Sequence, residues 1–209
     1  KHRSGAIAHV SLMVNTGMRD ELPNENGLAH FVEHMLFKGT KKRKAFHILS
    51  CLENVGGELN AYTTKEETTY YAATPRRYFG RTLQLLSDLV SNATFPKKET
   101  EKEYGVILEE IESYNDSPSE LIYDDFESIL FDNYPIAMPI LGTKRSLQQI
   151  QKHPESVHEW LQQYYVPSNM VLFSQGNIAF DKVIHYATKH LGHLPISSHC
   201  SRSFRQVPE

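Results

Sequence analysis

Five apolar residues between positions 28 and 36 constrain this chain more than any other feature. Leu28, Phe31, Val32, Met35 and Leu36 recur at helical spacing, so the segment from Leu28 to about Lys38 reads as a helix with one stripe that must be buried. The opposite side carries His30, Glu33 and His34, together with Phe37. Asn26 is placed to cap the start of this helix, and Gly39 stands just past its end.

The stretches around the helix supply the surface that buries the stripe. Ala6–Asn15 alternates loosely and reads as a strand, and a turn-rich GMRDELPNENG follows it. A second helix is expected over about Ala45–Asn54, stopped by Gly56-Gly57. ELNAYTT and TTYYAAT read as two strands around a polar turn at Lys65–Glu67. Arg76–Asn92 is amphipathic, with Leu83, Leu86, Leu89 and Val90 inward. A long helix is expected from Pro96 to about Tyr114, then another beyond Ser117-Pro118 to about Phe131. Asp132–Pro139 reads as a loop, Ser146–Gln151 and Glu155–Tyr165 as helices, Met170–Gln175 as a strand and Phe180–Leu191 as a helix. This order predicts one α+β domain over residues 1–209, with helices packed on one side of a largely antiparallel sheet.

His30-Phe31-Val32-Glu33-His34 is an HxxEH pattern. On a helix, residues i and i+4 stand one turn apart on one side, so two imidazoles can converge on one ion, and residue i+3 shares that side. A zinc hydrolase site commonly takes three protein ligands and keeps one position for water. In EKEYGVILEEIESY, Glu103 and Glu110 are seven residues apart and point almost the same way, flanked by Val106, Ile107, Ile111 and Tyr114. Glu101, Glu109 and Glu112 point to a polar face. Carboxylates in an apolar stripe need a partner, either a metal ion or a Lys or Arg. His47 and Cys51 are rival ligands on the second helix, but read more simply as a surface imidazole and a core thiol. The later histidines, among them His153, His190 and His199, form no ligand pattern on one helix face.

Composition removes several other classes. A formal net charge of −3 lacks the basic excess of a nucleic-acid binder, and Lys41-Lys42-Arg43-Lys44 reads as a solvated loop. No apolar run reaches membrane-span length. The two cysteines, Cys51 and Cys200, cannot make a disulfide scaffold. The compartment stays open, with a bacterial cytoplasm or periplasm and a soluble protein as the expectation.

Three separated segments, GLAHFVEHMLFKGT (27–40), GGELNAYTTKEETTYYA (56–72) and EYGVILEEI (103–111), resemble the pitrilysin-type (inverzincin, M16) zinc peptidases, in particular the mitochondrial processing peptidase β-subunit type and its bacterial relatives. The resemblance runs over nearly the whole chain. It implies that His30 and His34 are zinc ligands, that Glu33 is the catalytic base, and that Glu110 is the distal glutamate ligand. It makes Glu103 a supporting acid on the same helix. Asn60 and Ala61 match an edge strand that binds an extended peptide substrate, and Glu66 matches a polar residue of the same hairpin. It also implies that the family's first strand lies before Lys1, and that this chain is the N-terminal half of a longer two-half peptidase. The second half, or a partner subunit, would close over it like a clamshell and supply an Arg-Tyr pair that orients the substrate. Two other functions share parts of the pattern. A zinc hydrolase or lyase acting on a small molecule, of the S-ribosylhomocysteine lyase kind, would need a catalytic cysteine near the first strand. A structural subunit of the same fold would be expected to have lost metal-site residues.

Overall fold

The computed structural model describes residues 5–132 and 134–195. His199 and Cys200 lie outside them. Four strands form one antiparallel sheet in the order β2-β3-β1-β4, with β1 at Ile7–Val14, β2 at Glu58–Thr63, β3 at Thr68–Pro75 and β4 at Met170–Gly176. Among the described residues β2 is therefore a free edge.

Alternation along β1 sets the two faces. Ala8, Val10, Leu12 and Val14 are buried under the helices, while Ile7 faces the other way. On the covered face, α1 (Leu28–Leu36) packs against β2, and α3 (Phe79–Asn92) packs against β1 and β3. The expected α1 stripe is buried in full, as are Leu83, Leu86, Leu89 and Val90 of α3. α2 (Ala45–Glu53) leans on β2 and α3. α4 (Lys97–Asn115) packs against α1, α5 (Pro118–Phe131) follows it, and α6 (Lys144–Lys152) rests on α4. α7 (Glu155–Tyr164) touches α1, and α8 (Phe180–Leu191) lies on α3. Among the described residues the opposite sheet face is uncovered: Val171 and Phe173 of β4 are 53% and 54% exposed, on the same face as Ile7 and Tyr62.

The start of α1 differs from the sequence expectation. Asn26 does not cap it; Gly27 occupies the cap position with φ 95°, and the Asn26 amide donates to Glu21 and to the Pro139 carbonyl. The capping carboxylate is Glu21, which accepts from the Gly27 N–H at 2.8 Å and the Ala29 N–H at 2.7 Å. Gly27 is obligatory for a second reason: a Cβ there would lie 2.7 Å from the Leu141 carbonyl oxygen, and one on Gly142 would lie 2.3 Å from that of Asn26. Two backbones cross here without side chains between them.

Burial pushes the Glu21 carboxyl up from 4.5 to about 8, against the lowering effect of its N–H donors. Between these values the folded chain keeps a proton that the unfolded chain has released, so the Glu21 contribution to stability falls as pH rises from about 4.5 to about 8. Glu21→Gln should lose stability at all pH values but lack that downward slope. Thermal unfolding of the metal-free protein followed by circular dichroism checks it; parallel pH profiles for the two proteins would contradict the assignment.

Candidate metal centre

The site stands where α1, α4 and the β2–β3 hairpin meet. His30 and Glu33 are buried on α1, and His34, one turn beyond His30, is partly open. The two rings lie 4.4 Å apart between centroids. α4 brings Glu110 across them, with its carboxylate oxygens 3.7 Å from His30 Nε2 and 3.7 Å from His34 Nε2. One ligand atom from each of the three lies within 4.8 Å of the others. A tetrahedral zinc with bonds of about 2.0–2.2 Å holds its ligand atoms roughly 3.3–3.6 Å apart; the two 3.7 Å separations are close to that, and the full set would draw in from 4.8 Å. Two imidazoles and a carboxylate are also a chemical set that suits zinc.

The second nitrogen of His34 explains why its Nε2 faces the centre. Nδ1 lies 2.8 Å from Glu103 Oε1, and a carboxylate can only accept, so a neutral His34 keeps its proton on Nδ1 and turns its Nε2 lone pair towards the centre. Glu103 is also paired with Lys38 at 2.6 Å. Burial works against the charge of Glu103, but the bonds from His34 and Lys38 outweigh it and its pKa is lowered. Burial likewise opposes charge on His34; the Glu103 bond and the surrounding carboxylates prevail and raise it. His30, deprived of water and next to His34, is lowered to about 3 and is neutral, the form a ligand requires. Its Nδ1 is buried without a hydrogen-bond partner among the described residues.

The two α4 acids thus play unlike parts. Glu103 is buried and has the lysine partner that the sequence left open, whereas the Glu110 side chain is 41% exposed. The apolar stripe proposed around them is narrower than expected, since Val106 is 47% exposed while Ile107 and Ile111 are buried. Cys51 packs against the core and His47 is exposed; neither belongs to the cluster.

Glu33 points at the same space but is not one of the three converging groups. Its Oε2 accepts from the Thr63 hydroxyl at 2.6 Å. Burial raises its pKa, and the proximity of Glu110 adds to this, while Thr63 and His34 pull it down. Asn60 and Ala61 lie on the free edge strand β2, where the Ala61 N–H donates to the Asn60 side-chain oxygen at 2.9 Å. The hairpin turn is fastened by Lys65, which pairs with Asp124 and Glu127 of α5 and donates to the Ile136 carbonyl, and by Glu66, which pairs with Arg19. Thr63 and Glu21 are the residues that pattern reading missed. Each acts across a turn or between elements, where no period in the sequence marks it.

Residues 1–144 match the family model described as Insulinase (Peptidase family M16), and residues 153–209 match one described as Peptidase M16 inactive domain. A Bacillus subtilis protein named uncharacterized zinc protease YmxG is 35% identical over 170 residues, covering 81% of this chain and 41% of its own. The Bos taurus mitochondrial-processing peptidase subunit beta is 33% identical over 187 residues, covering 90% of this chain and 38% of its own. The fold superposes on a protease from Helicobacter pylori with a TM-score of 0.89 at 24% identity, covering 97% of this chain and 49% of that one. It also superposes on the periplasmic protease PqqL from Escherichia coli with a TM-score of 0.87 at 26% identity, covering 97% and 23%. The chain therefore spans less than half the length of these relatives. Among the described residues, no helix is long and apolar enough to cross a membrane.

Proposed function

The chain belongs to the peptidase M16 (insulinase) family, and on that premise we propose that it is the zinc-binding catalytic half of an endopeptidase that cleaves extended peptides or unfolded segments. The observation that carries the reading is the convergence of His30, His34 and Glu110 with Glu33 beside them and a free strand edge alongside. His30, His34 and Glu110 would hold zinc, and Glu103 would orient His34. When bound there, zinc supplies polarisation of a water and of the scissile carbonyl.

The rest of the chemistry falls to the chain itself. With Oε2 engaged by Thr63, Glu33 has Oε1 left to take a proton from the attacking water and return it to the leaving amine. A peptide would add beside Glu58–Thr63 through main-chain hydrogen bonds, displacing the Asn60 amide from the Ala61 N–H. Such pairing reads backbone shape, so specificity should be broad. All the residue types the chemistry needs are present, which favours an enzyme over a structural subunit. Among the described residues no cysteine stands in the cluster, which favours a peptidase over a lyase of the cysteine-dependent kind.

A second half or partner subunit completes this reading. The supporting observations are the uncovered sheet face with Val171 and Phe173, and relatives about twice as long as this chain. A peptidase must hold the scissile bond in place and exclude bulk water, and one edge strand gives only one wall. Residues 1–209 alone should fold and bind zinc. They should turn over a fluorogenic peptide of about ten residues far more slowly than the protein carrying the second half, and chelation should silence both. Equal kcat/KM for the two would remove the need for the second half, and full activity after chelation would remove the zinc peptidase.

A further inference from the structure

The threonines at the hairpin end do different things with their hydroxyls. Thr64 Oγ1 accepts from the Glu66 and Glu67 N–H groups and shapes the turn. Thr68 donates to the Thr16 carbonyl and fastens the sheet. Thr63 instead crosses to another element and donates to a carboxylate, Glu33 Oε2, at 2.6 Å. That is the length of a charge-assisted O–H···O⁻ bond.

Its place on β2 gives the bond further meaning. Cross-strand pairs share a face, so Thr63 and Ala61 lie on the side of their partners Thr68 and Tyr70, both buried beneath the helices. Asn60 and Tyr62 lie on the other side. β2 is also one of the two edge strands of the sheet among the described residues. A carboxylate on a long side chain has rotamer freedom, and Glu33 stands one residue before His34 on α1, outside the three converging groups. One fixed oxygen defines the direction of the other.

We propose that Thr63 is a positioning residue: its hydroxyl sets the orientation of the Glu33 carboxylate and ties it to the strand on which the peptide pairs. Peptide register and base direction are then set by the same six-residue strand. This rests on the peptidase reading above for its effect on turnover, but not for its effect on Glu33.

The test uses the full-length, zinc-loaded protein with Thr63→Val, which keeps the β-branched shape and removes the donor, and Thr63→Ser, which keeps the donor. Thr63→Val should retain zinc and KM and lose about ten- to hundredfold in kcat. Thr63→Ser should stay within about threefold of the parent in kcat, because it keeps the hydroxyl on which the effect depends. In a Glu33→Gln background Thr63→Val should cost nothing further, because its effect runs through Glu33. Unchanged kcat in Thr63→Val, equal losses in Val and Ser, or an undiminished loss in the Glu33→Gln background would each overturn the proposal. Crystal structures of the same variants separate it from the peptidase reading. Glu33 should hold one orientation in the parent and Thr63→Ser and more than one in Thr63→Val. A single unchanged orientation in Thr63→Val would refute positioning even if the protein hydrolysed no peptide at all.

Discussion

Glu33→Gln should leave zinc bound and remove nearly all peptide hydrolysis. The amide has almost the same shape and can still accept the Thr63 hydroxyl through its oxygen, so the hairpin and α1 should stay in place. It is outside the three converging groups, so the metal content should not change. What disappears is the ability to take a proton and to give it back. General acid–base assistance is worth about 10²–10⁴-fold for a transfer, and one group here serves two transfers, so kcat should fall by about three orders of magnitude or more while KM changes little. Single-turnover assay on a fluorogenic peptide, with metal analysis of the same sample, decides it. A zinc-loaded Glu33→Gln protein with near-normal kcat would exclude Glu33 as the base.

The second large effect is loss of the metal itself, and it should be graded. His30→Ala, His34→Ala and Glu110→Gln should each lower zinc affinity by more than the roughly tenfold to hundredfold that loss of an outer partner costs. Glu103→Gln should fall inside that range, because it acts only through the His34 Nδ1–H. Glu109→Gln and Glu112→Gln, exposed on the same helix, should bind as the parent does. Glu110→Gln is the cleanest of the set, since its partly exposed side chain leaves no cavity when changed. Competition with a chromophoric chelator ranks all six. Parental affinity in Glu110→Gln would move the third ligand elsewhere, with Glu103 and Cys51 as the next to test.

The parts of this molecule that repeat were legible in the sequence. The α1 stripe, the α3 stripe and the hairpin each have a period, and each lies where the period puts it. The faces of α4 were legible only in part. Helical projection puts Glu103 and Glu110 together, but α4 packs on α1 and α6 through a narrower strip, so seven residues separate a buried acid from a half-open one. That difference belongs to neighbouring helices, and projection of one helix does not contain it. The same holds for Lys38 on Glu103 and Thr63 on Glu33, which join elements far apart along the chain. At the start of α1, Asn26 has the right residue type for a cap. Glu21 takes the role because the irregular backbone between them folds its carboxylate over the Gly27 and Ala29 N–H groups.

The crossing of Gly27 and Gly142 carries a consequence for the order of folding. A hydrogen-bonded helix can form within about a microsecond, and the stretch from His30 to His34 is local. Yet the first turn of that helix is wedged against a backbone more than a hundred positions later, so its direction is fixed only once that distant loop has closed over it. Until then both imidazoles ride on a segment whose aim towards Glu110 is unset. On the ribosome, a chain that has not yet delivered Gly142 would present its histidines without the frame that turns them towards Glu110. Tight metal capture should therefore arrive as a late event of synthesis.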